Sequence, residues 1–266
     1  MLEGTITDIS EVARKKRDLL RSSFSRYFVL AMLAGMYVGF GIVLIFSIGA
    51  PFNAVGAAGT KALMGASFAV ALSLVIFAGS ELFTGNTLVM TIGALGRSVG
   101  WGSTLKVWLV SWVGNLAGSL VLAALVVLSG VATSGATSDF ILEVSASKMG
   151  AGFGPLLFRG ILCNILVCLS VWMALKMEDK TAVLILIFWC LFAFIGAGFE
   201  HSVANMTLFG IALLIPHPET VSWMGLVENL IPVTIGNIIG GAVFVGAAYW
   251  FVGNGRGREV QQRKAA

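Results

Sequence analysis

Apolar positions in this chain run in blocks far longer than the 3.6-residue stripe of a soluble helix. Tyr27 to Ile48 carries no charged residue, and a Gly/Pro/Asn/Ala-rich loop is expected from Gly49 to Thr60. Lys61 to Leu95 is a second apolar run, interrupted near its centre by Gly79-Ser80-Glu81-Leu82-Phe83-Thr84-Gly85-Asn86-Thr87. A third block spans Leu105 to Ser129, and the polar stretch Gly130 to Gly154, with Asp139, Glu143 and Lys148, reads as an external loop. Pro155 opens a fourth block that reaches Lys176. The connection Met177-Glu178-Asp179-Lys180 leads into a second over-long run, Thr181 to Pro216, and Leu226 to Phe251 is the last block. About 20 apolar residues suffice to cross a bilayer, so the pattern predicts an all-α membrane protein with six transmembrane helices.

The two over-long runs are the informative ones. A straight helix over Lys61 to Leu95 would be roughly 50 Å long against a hydrocarbon core of about 30 Å, yet two crossings and a turn need more residues. One crossing built from two half-helices around an irregular segment fits, so helices 2 and 5 are expected to be broken. The breaks also match each other. Setting Glu81 on Glu200 aligns Ala78-Gly79-Ser80-Glu81 with Ala197-Gly198-Phe199-Glu200, and Asn86 then meets Asn205. Gly114-Asn115 with Gly118 matches Gly236-Asn237 with Gly240 at nearly the same offset. Three crossings reverse the chain direction, so two such copies form inverted three-helix repeats. Paired breaks in inverted repeats point to a substrate path near the midplane.

Composition supports this architecture and narrows the function classes. The chain is 58% hydrophobic and 11% charged, which excludes an ordinary soluble core, and its 33 glycines suit closely packed membrane helices. The bilayer is the expected partner, not nucleic acid. Cys163, Cys168 and Cys190 lie in apolar runs without ligand-like spacing and read as small core residues; no metal or cofactor is implied. Residues 1–26 place Ile9, Val12, Ala13, Leu19, Leu20 and Phe24 at helical spacing among basic residues, predicting a cytoplasmic amphipathic helix along the membrane surface. Residues 27–252 form the six-span domain, and 253–266 a polar, basic tail. With six crossings, all but three of the 17 Lys and Arg residues fall on one side, leaving Lys61, Lys148 and Arg159. Both termini are therefore expected in the cytoplasm.

Chemistry concentrates at the two interruptions. Each second half-helix would start inside the membrane with unpaired N–H groups and a positive dipole end, which favours an anion. Thr84, Asn86, Ser202 and Asn205 are residues that cap such ends. Glu81 and Glu200, placed symmetrically, are expected to brace the loops. His201 has no counterpart, because Leu82 occupies the aligned position. An imidazole in the break of a membrane helix is a candidate functional centre, and it titrates near neutrality when unperturbed. Phe68 and Phe194, one to two turns before the breaks, could form dry constrictions on either side of it.

The motifs Gly79-Ser80-Glu81-Leu82-Phe83-Thr84-Gly85, Cys163-Asn164-Ile165-Leu166-Val167-Cys168, Gly198-Phe199-Glu200-His201-Ser202-Val203-Ala204-Asn205-Met206 and Ile231-Pro232-Val233-Thr234-Ile235-Gly236-Asn237 together resemble the formate/nitrite transporter family, and the nitrite-channel branch most. That resemblance implies an aquaporin-like protomer in a homopentamer of the inner membrane, carrying small monovalent anions such as nitrite and formate. It implies a gate at Leu82, Phe83 and Thr84, narrowing at Phe68, Leu72 and Phe194, a centre at His201, lining by Asn164 and Asn237, and a vestibule lysine at Lys148. Hydrosulfide or another weak-acid anion is the alternative cargo. A neutral-solute channel would share the repeat, but the paired Asn-Pro-Ala loops of aquaporins are absent, and an intramembrane hydrolase would want a Gly-x-Ser-x-Gly or His-Glu-x-x-His motif that does not occur. No enzymatic role is expected.

Overall fold

The computed structural model describes residues 2–253; the expected tail at 253–266 lies, apart from Gly253, outside the described residues. Those residues are almost entirely helical. In order they form α1 (Leu2–Ser22), α2 (Phe24–Ala54), α3 (Thr60–Ser67), α4 (Ala69–Leu74) with a wide-turned π extension Val75–Gly79, α5 (Phe83–Leu95), α6 (Trp101–Leu128), α7 (Gly135–Met149), α8 (Phe153–Lys176), α9 (Lys180–Gly196), α10 (Ser202–Leu214) and α11 (Trp223–Ile238), which a π segment, Ile239–Ala247, carries toward Gly253.

Local chemistry fixes several helix starts. Ser23 accepts from the Arg26 amide at the head of α2, Asp179 accepts from Thr181 and Ala182 at the head of α9, and Ser222 accepts from Gly225 at the head of α11. Each satisfies amides that no earlier carbonyl can reach. Among the described residues, five helices are long and apolar enough to cross a membrane unaided: Phe24–Ala54, Thr60–Gly79, Trp101–Leu128, Phe153–Lys176 and Trp223–Gly253. Phe83–Leu95, Lys180–Gly196 and Ser202–Leu214 are apolar but shorter.

Three expectations are revised. The stretch Gly130 to Gly154 is not a plain loop: α7 fills most of it and sets Phe140 against Phe46 of α2, ring centroids 5.0 Å apart. Helix α2 runs through Pro51 to Ala54, so the loop expected from Gly49 shrinks to the residues before Thr60. The N-terminal helix does not leave its apolar face for lipid. Ile9 and Ala13 are wholly buried, and the Ala13 methyl packs where a side chain on Gly93 of α5 would stand.

Packing follows two matched seams, α2 along α6 and α8 along α11. A Cβ on Gly118 would collide with the Met32 carbonyl across the first seam, and one on Gly240 with the Ile161 carbonyl across the second. Membrane helices gain little hydrophobic energy from each other, so the backbone approach that glycine permits supplies much of the cohesion. Gly118→Ala and Gly240→Ala are each expected to lower stability by about 1–3 kcal/mol, because backbone cannot step aside as a side chain can. Gly154→Ala, where a methyl meets open space, should leave it unchanged. Unfolding by SDS titration in mixed micelles measures all three.

Candidate functional site

The two polar interruptions fold as matching loops. At the first, Gly79 takes φ +79°, Ser80 is extended, and α5 starts at Phe83. At the second, Gly198 takes φ +75°, and α10 starts at Ser202. The positive φ is where glycine costs least, which explains a glycine at both aligned positions.

One asparagine clips each loop. Asn115 Oδ1 accepts from the Phe83 amide at 2.9 Å, while its Nδ2 donates to the carbonyls of Glu81 (3.0 Å) and Ala31 (2.7 Å). Asn237 repeats the arrangement: Oδ1 accepts from Ser202 at 3.0 Å, and Nδ2 donates to Glu200 (3.0 Å) and Gly160 (2.8 Å). Both side chains are fully buried. The resemblance implies lining by Asn237; its side-chain polar atoms here are taken up by the loop and by the Gly160 carbonyl of α8.

Each glutamate is the hub of a second network. Glu200 accepts Lys148 Nζ at 2.7 Å on Oε1 and Asn205 Nδ2 at 2.6 Å on Oε2. Asn205 accepts from Lys148 in turn and donates to Asn229, and Asn229 Nδ2 bonds the Lys148 carbonyl at 2.9 Å. On the other loop Glu81 accepts Lys16 Nζ on both oxygens (2.8 and 2.7 Å), the Tyr27 hydroxyl at 3.0 Å and Asn86 Nδ2 at 3.1 Å. A buried carboxylate survives only when paired and hydrogen-bonded, and both are. The sequence names Lys148 only through the resemblance, as a vestibule lysine rather than as the partner of Glu200, and Asn115 only as part of the Gly-Asn repeat; Lys16, Tyr27 and Asn229 were missed as network members. Asn115 was legible, because it aligns with Asn237; Lys16 was one basic residue among several on an amphipathic helix.

His201 stands between these systems. It is the N-cap of α10: its Nδ1 accepts from the Ala204 amide at 3.2 Å, and Nε2 lies 3.1 Å from Thr84 Oγ1. An Nδ1 that accepts carries no proton, so the neutral ring holds its proton on Nε2 and donates to Thr84. Phe194 stacks on the imidazole, centroids 6.0 Å apart, and Phe68 meets Phe194 edge-on at 5.6 Å. The Thr84 carbonyl accepts from Thr87, Asn164 Nδ2 and Cys168 Sγ, and Asn164 also donates to the Asn237 carbonyl. The Asn164 Oδ1 atom is buried without a hydrogen-bond partner among the described residues.

Cavities open on both sides of the imidazole. One of about 450 Å³ is bordered by Lys61, Lys148, Phe194, His201 and Asn205. Another, of about 580 Å³, is bordered by Lys16, Leu72, Glu81, Leu82 and Lys180. A void of only about 10 Å³ lies among Phe68, Leu72, Leu82, Phe194 and His201. That is room for about one water centre, and its walls are apolar apart from the imidazole. His201 thus borders both the first cavity and the void. Phe83, Thr84, Asn164 and Asn237 border none of the three.

The family model described as formate/nitrite transporter matches residues 3–251. The nitrite transporter NirC of Escherichia coli (strain K12) is 40% identical over 251 residues, 94% of this chain and 92% of that protein. Among solved structures, one described as an FNT family ion channel superposes with a TM-score of 0.89 at 39% identity, covering 94% of this chain and 98% of that one. A pentameric formate channel with formate bound gives a TM-score of 0.79 at 30% identity, covering 88% and 98%. The relatives are transporters and channels rather than enzymes, and a match that runs from α1 to the end of the last helix makes this chain a member of the formate/nitrite transporter family.

Proposed function

We propose that the chain forms a channel for small monovalent anions, nitrite or formate, through the inner membrane, as a homopentamer with both termini in the cytoplasm. The reading joins α3, α4 and α5 into one broken crossing and α9 and α10 into another, giving six crossings as two inverted repeats around residues 27–252. Residues 1–26 and 253–266 then lie at the cytoplasmic face. The relatives' nitrite and formate names support the cargo.

The observation that carries the proposal is the sequence of spaces: two wide vestibules, each bordered by two lysines, separated by an apolar void with His201 in its wall. The cationic edges raise the local anion concentration. A bare anion pays heavily to enter the void, whereas the neutral acid does not. His201 is the group that bridges the two costs. Its Nε2–H is donated to Thr84 outside the void, so the neutral ring presents a polar edge at the narrowest point, and its imidazolium form is the one that carries a proton to give. Phe68, Leu72, Leu82 and Phe194 set the width, with Phe83 starting the helix behind Leu82. Glu81, Glu200, Asn86, Asn205 and Ser202 hold the loops, and Asn164 and Asn237 hold Thr84 and Ser202 in register.

Nitrite and formate flux into liposomes, measured between acid and neutral pH, tests this. His201→Phe is expected to cut flux at least tenfold and to flatten its pH dependence; a variant that keeps the wild-type pH profile would remove the proton-donating role. Competition among nitrite, formate and hydrosulfide in the same assay ranks the cargo.

A further inference from the structure

Away from the pathway, α1 and the head of α6 enclose a notch of about 410 Å³ bordered by Arg17, Leu20, Arg21, Gly100, Gly102, Ser103, Lys106 and Val107. Three cations and no carboxylate border it. Arg17 is already engaged, donating to Asp18 at 2.8 Å and to the Ser98 carbonyl at 3.2 Å. Asp18, solvent-exposed outside the notch, is held below the usual carboxylate range by that hydrogen bond first and then by the charges of Arg17, Arg21 and Arg14. Arg21 and Lys106 form no hydrogen bond and no ion pair among the described residues, so two cations face the notch without an anion.

The floor of the notch is backbone. Gly100 and Gly102 leave open space where side chains would stand. No side chain caps α6, and its first amide with a main-chain partner is that of Ser103, bonded to the Gly100 carbonyl. Among the described residues the Ser103 hydroxyl has no partner of its own. Cations, a free hydroxyl and uncapped amides converging on an open space suit a phosphate group. What lies beyond it distinguishes a lipid from a free ion. Trp101, Leu105 and Leu109, at i, i+4 and i+8 along α6, are 51%, 58% and 64% exposed and form an apolar stripe leading away from the notch. Trp101 stands at the junction of the polar and apolar parts, where indoles collect in membrane proteins.

We propose that this notch binds the phosphodiester head of an anionic phospholipid, with an acyl chain laid along Leu105 and Leu109. Arg21, Lys106 and the Ser103 hydroxyl hold the phosphate, and the α6 amides complete the cradle. The site needs only that α6 crosses the membrane; it stands whether or not His201 handles protons.

Native mass spectrometry of the full chain with dioleoylphosphatidylglycerol, dioleoylphosphatidylcholine and inorganic phosphate tests it. The expected result is retained phosphatidylglycerol, weakened roughly 30-fold in Arg21→Gln/Lys106→Gln, which is what two membrane-surface cations contribute. Arg14→Gln/Lys15→Gln, which removes the same charge from the same helix outside the notch, is expected to bind like wild type. Ser103→Asp, which puts a carboxylate into the notch without removing a cation, should weaken binding as well. Equal weakening in both double variants would show diffuse attraction and overturn the proposal, as would unchanged binding in Arg21→Gln/Lys106→Gln. Displacement of the lipid by millimolar inorganic phosphate would reassign the notch to a free ion.

Discussion

Lys148→Met is expected to lower the unfolding free energy by about 3–5 kcal/mol, the usual consequence of stripping one partner from a buried ion pair. The size follows from what Glu200 would have left. It is 2% exposed, and without the ammonium only Asn205 Nδ2 still donates to its side chain. Asn205 loses a donor as well, since Lys148 also bonds its Oδ1. Adding Glu200→Gln removes the uncompensated charge while leaving an acceptor for Asn205, so the double variant should recover most of the loss. Lys16→Met makes an internal comparison. Glu81 is 8% exposed and keeps both the Tyr27 hydroxyl and Asn86, so the mirrored change should cost less. SDS titration in mixed micelles measures these differences; equal losses at Lys16 and Lys148, or no recovery in the double variant, would contradict the account.

The second large effect is expected at the clips. Asn237→Ala removes three hydrogen bonds and leaves the Ser202 amide without its partner inside the bundle. At about 1 kcal/mol per bond, with a further 1–3 kcal/mol for a stranded buried donor, a loss of roughly 4–6 kcal/mol follows. Asn115→Ala should match it, stranding the Phe83 amide. Hydrogen exchange separates the two, because release of each clip should speed exchange at its own loop, 198–202 for Asn237 and 80–83 for Asn115. Acceleration spread evenly over the bundle would show that the asparagines act as general packing rather than as clips.

The features legible in the sequence are those written in short spacings. Glu81 with Asn86, and Glu200 with Asn205, are five residues apart, so one alignment exposes both loops and carries Asn115 and Asn237 with it. The Gly-Asn-x-x-Gly seams were readable for the same reason. What was hidden depends on distance or on direction. Lys16 meets Glu81 across 65 residues, and nothing local marks it apart from Lys15 or Arg17. Helix α7 was concealed because Phe140, Ile141 and Leu142 are consecutive rather than spaced by turns, while Ser138 and Ser145 are buried. In the crossings, apolar residues face both ways. Val107 is wholly buried and Leu109 is 64% exposed, yet the hydrophobic pattern treats them alike.

The lysine–glutamate pairs also bear on biogenesis. In each half the lysine is synthesised first, 65 residues ahead of Glu81 and 52 ahead of Glu200. A carboxylate entering hydrocarbon alone is costly, but in both halves it arrives when its counter-ion already exists in the nascent chain. Translation order therefore lets each acid be neutralised by a lysine already made, Glu81 by Lys16 and Glu200 by Lys148, so the two pairs can form one after the other.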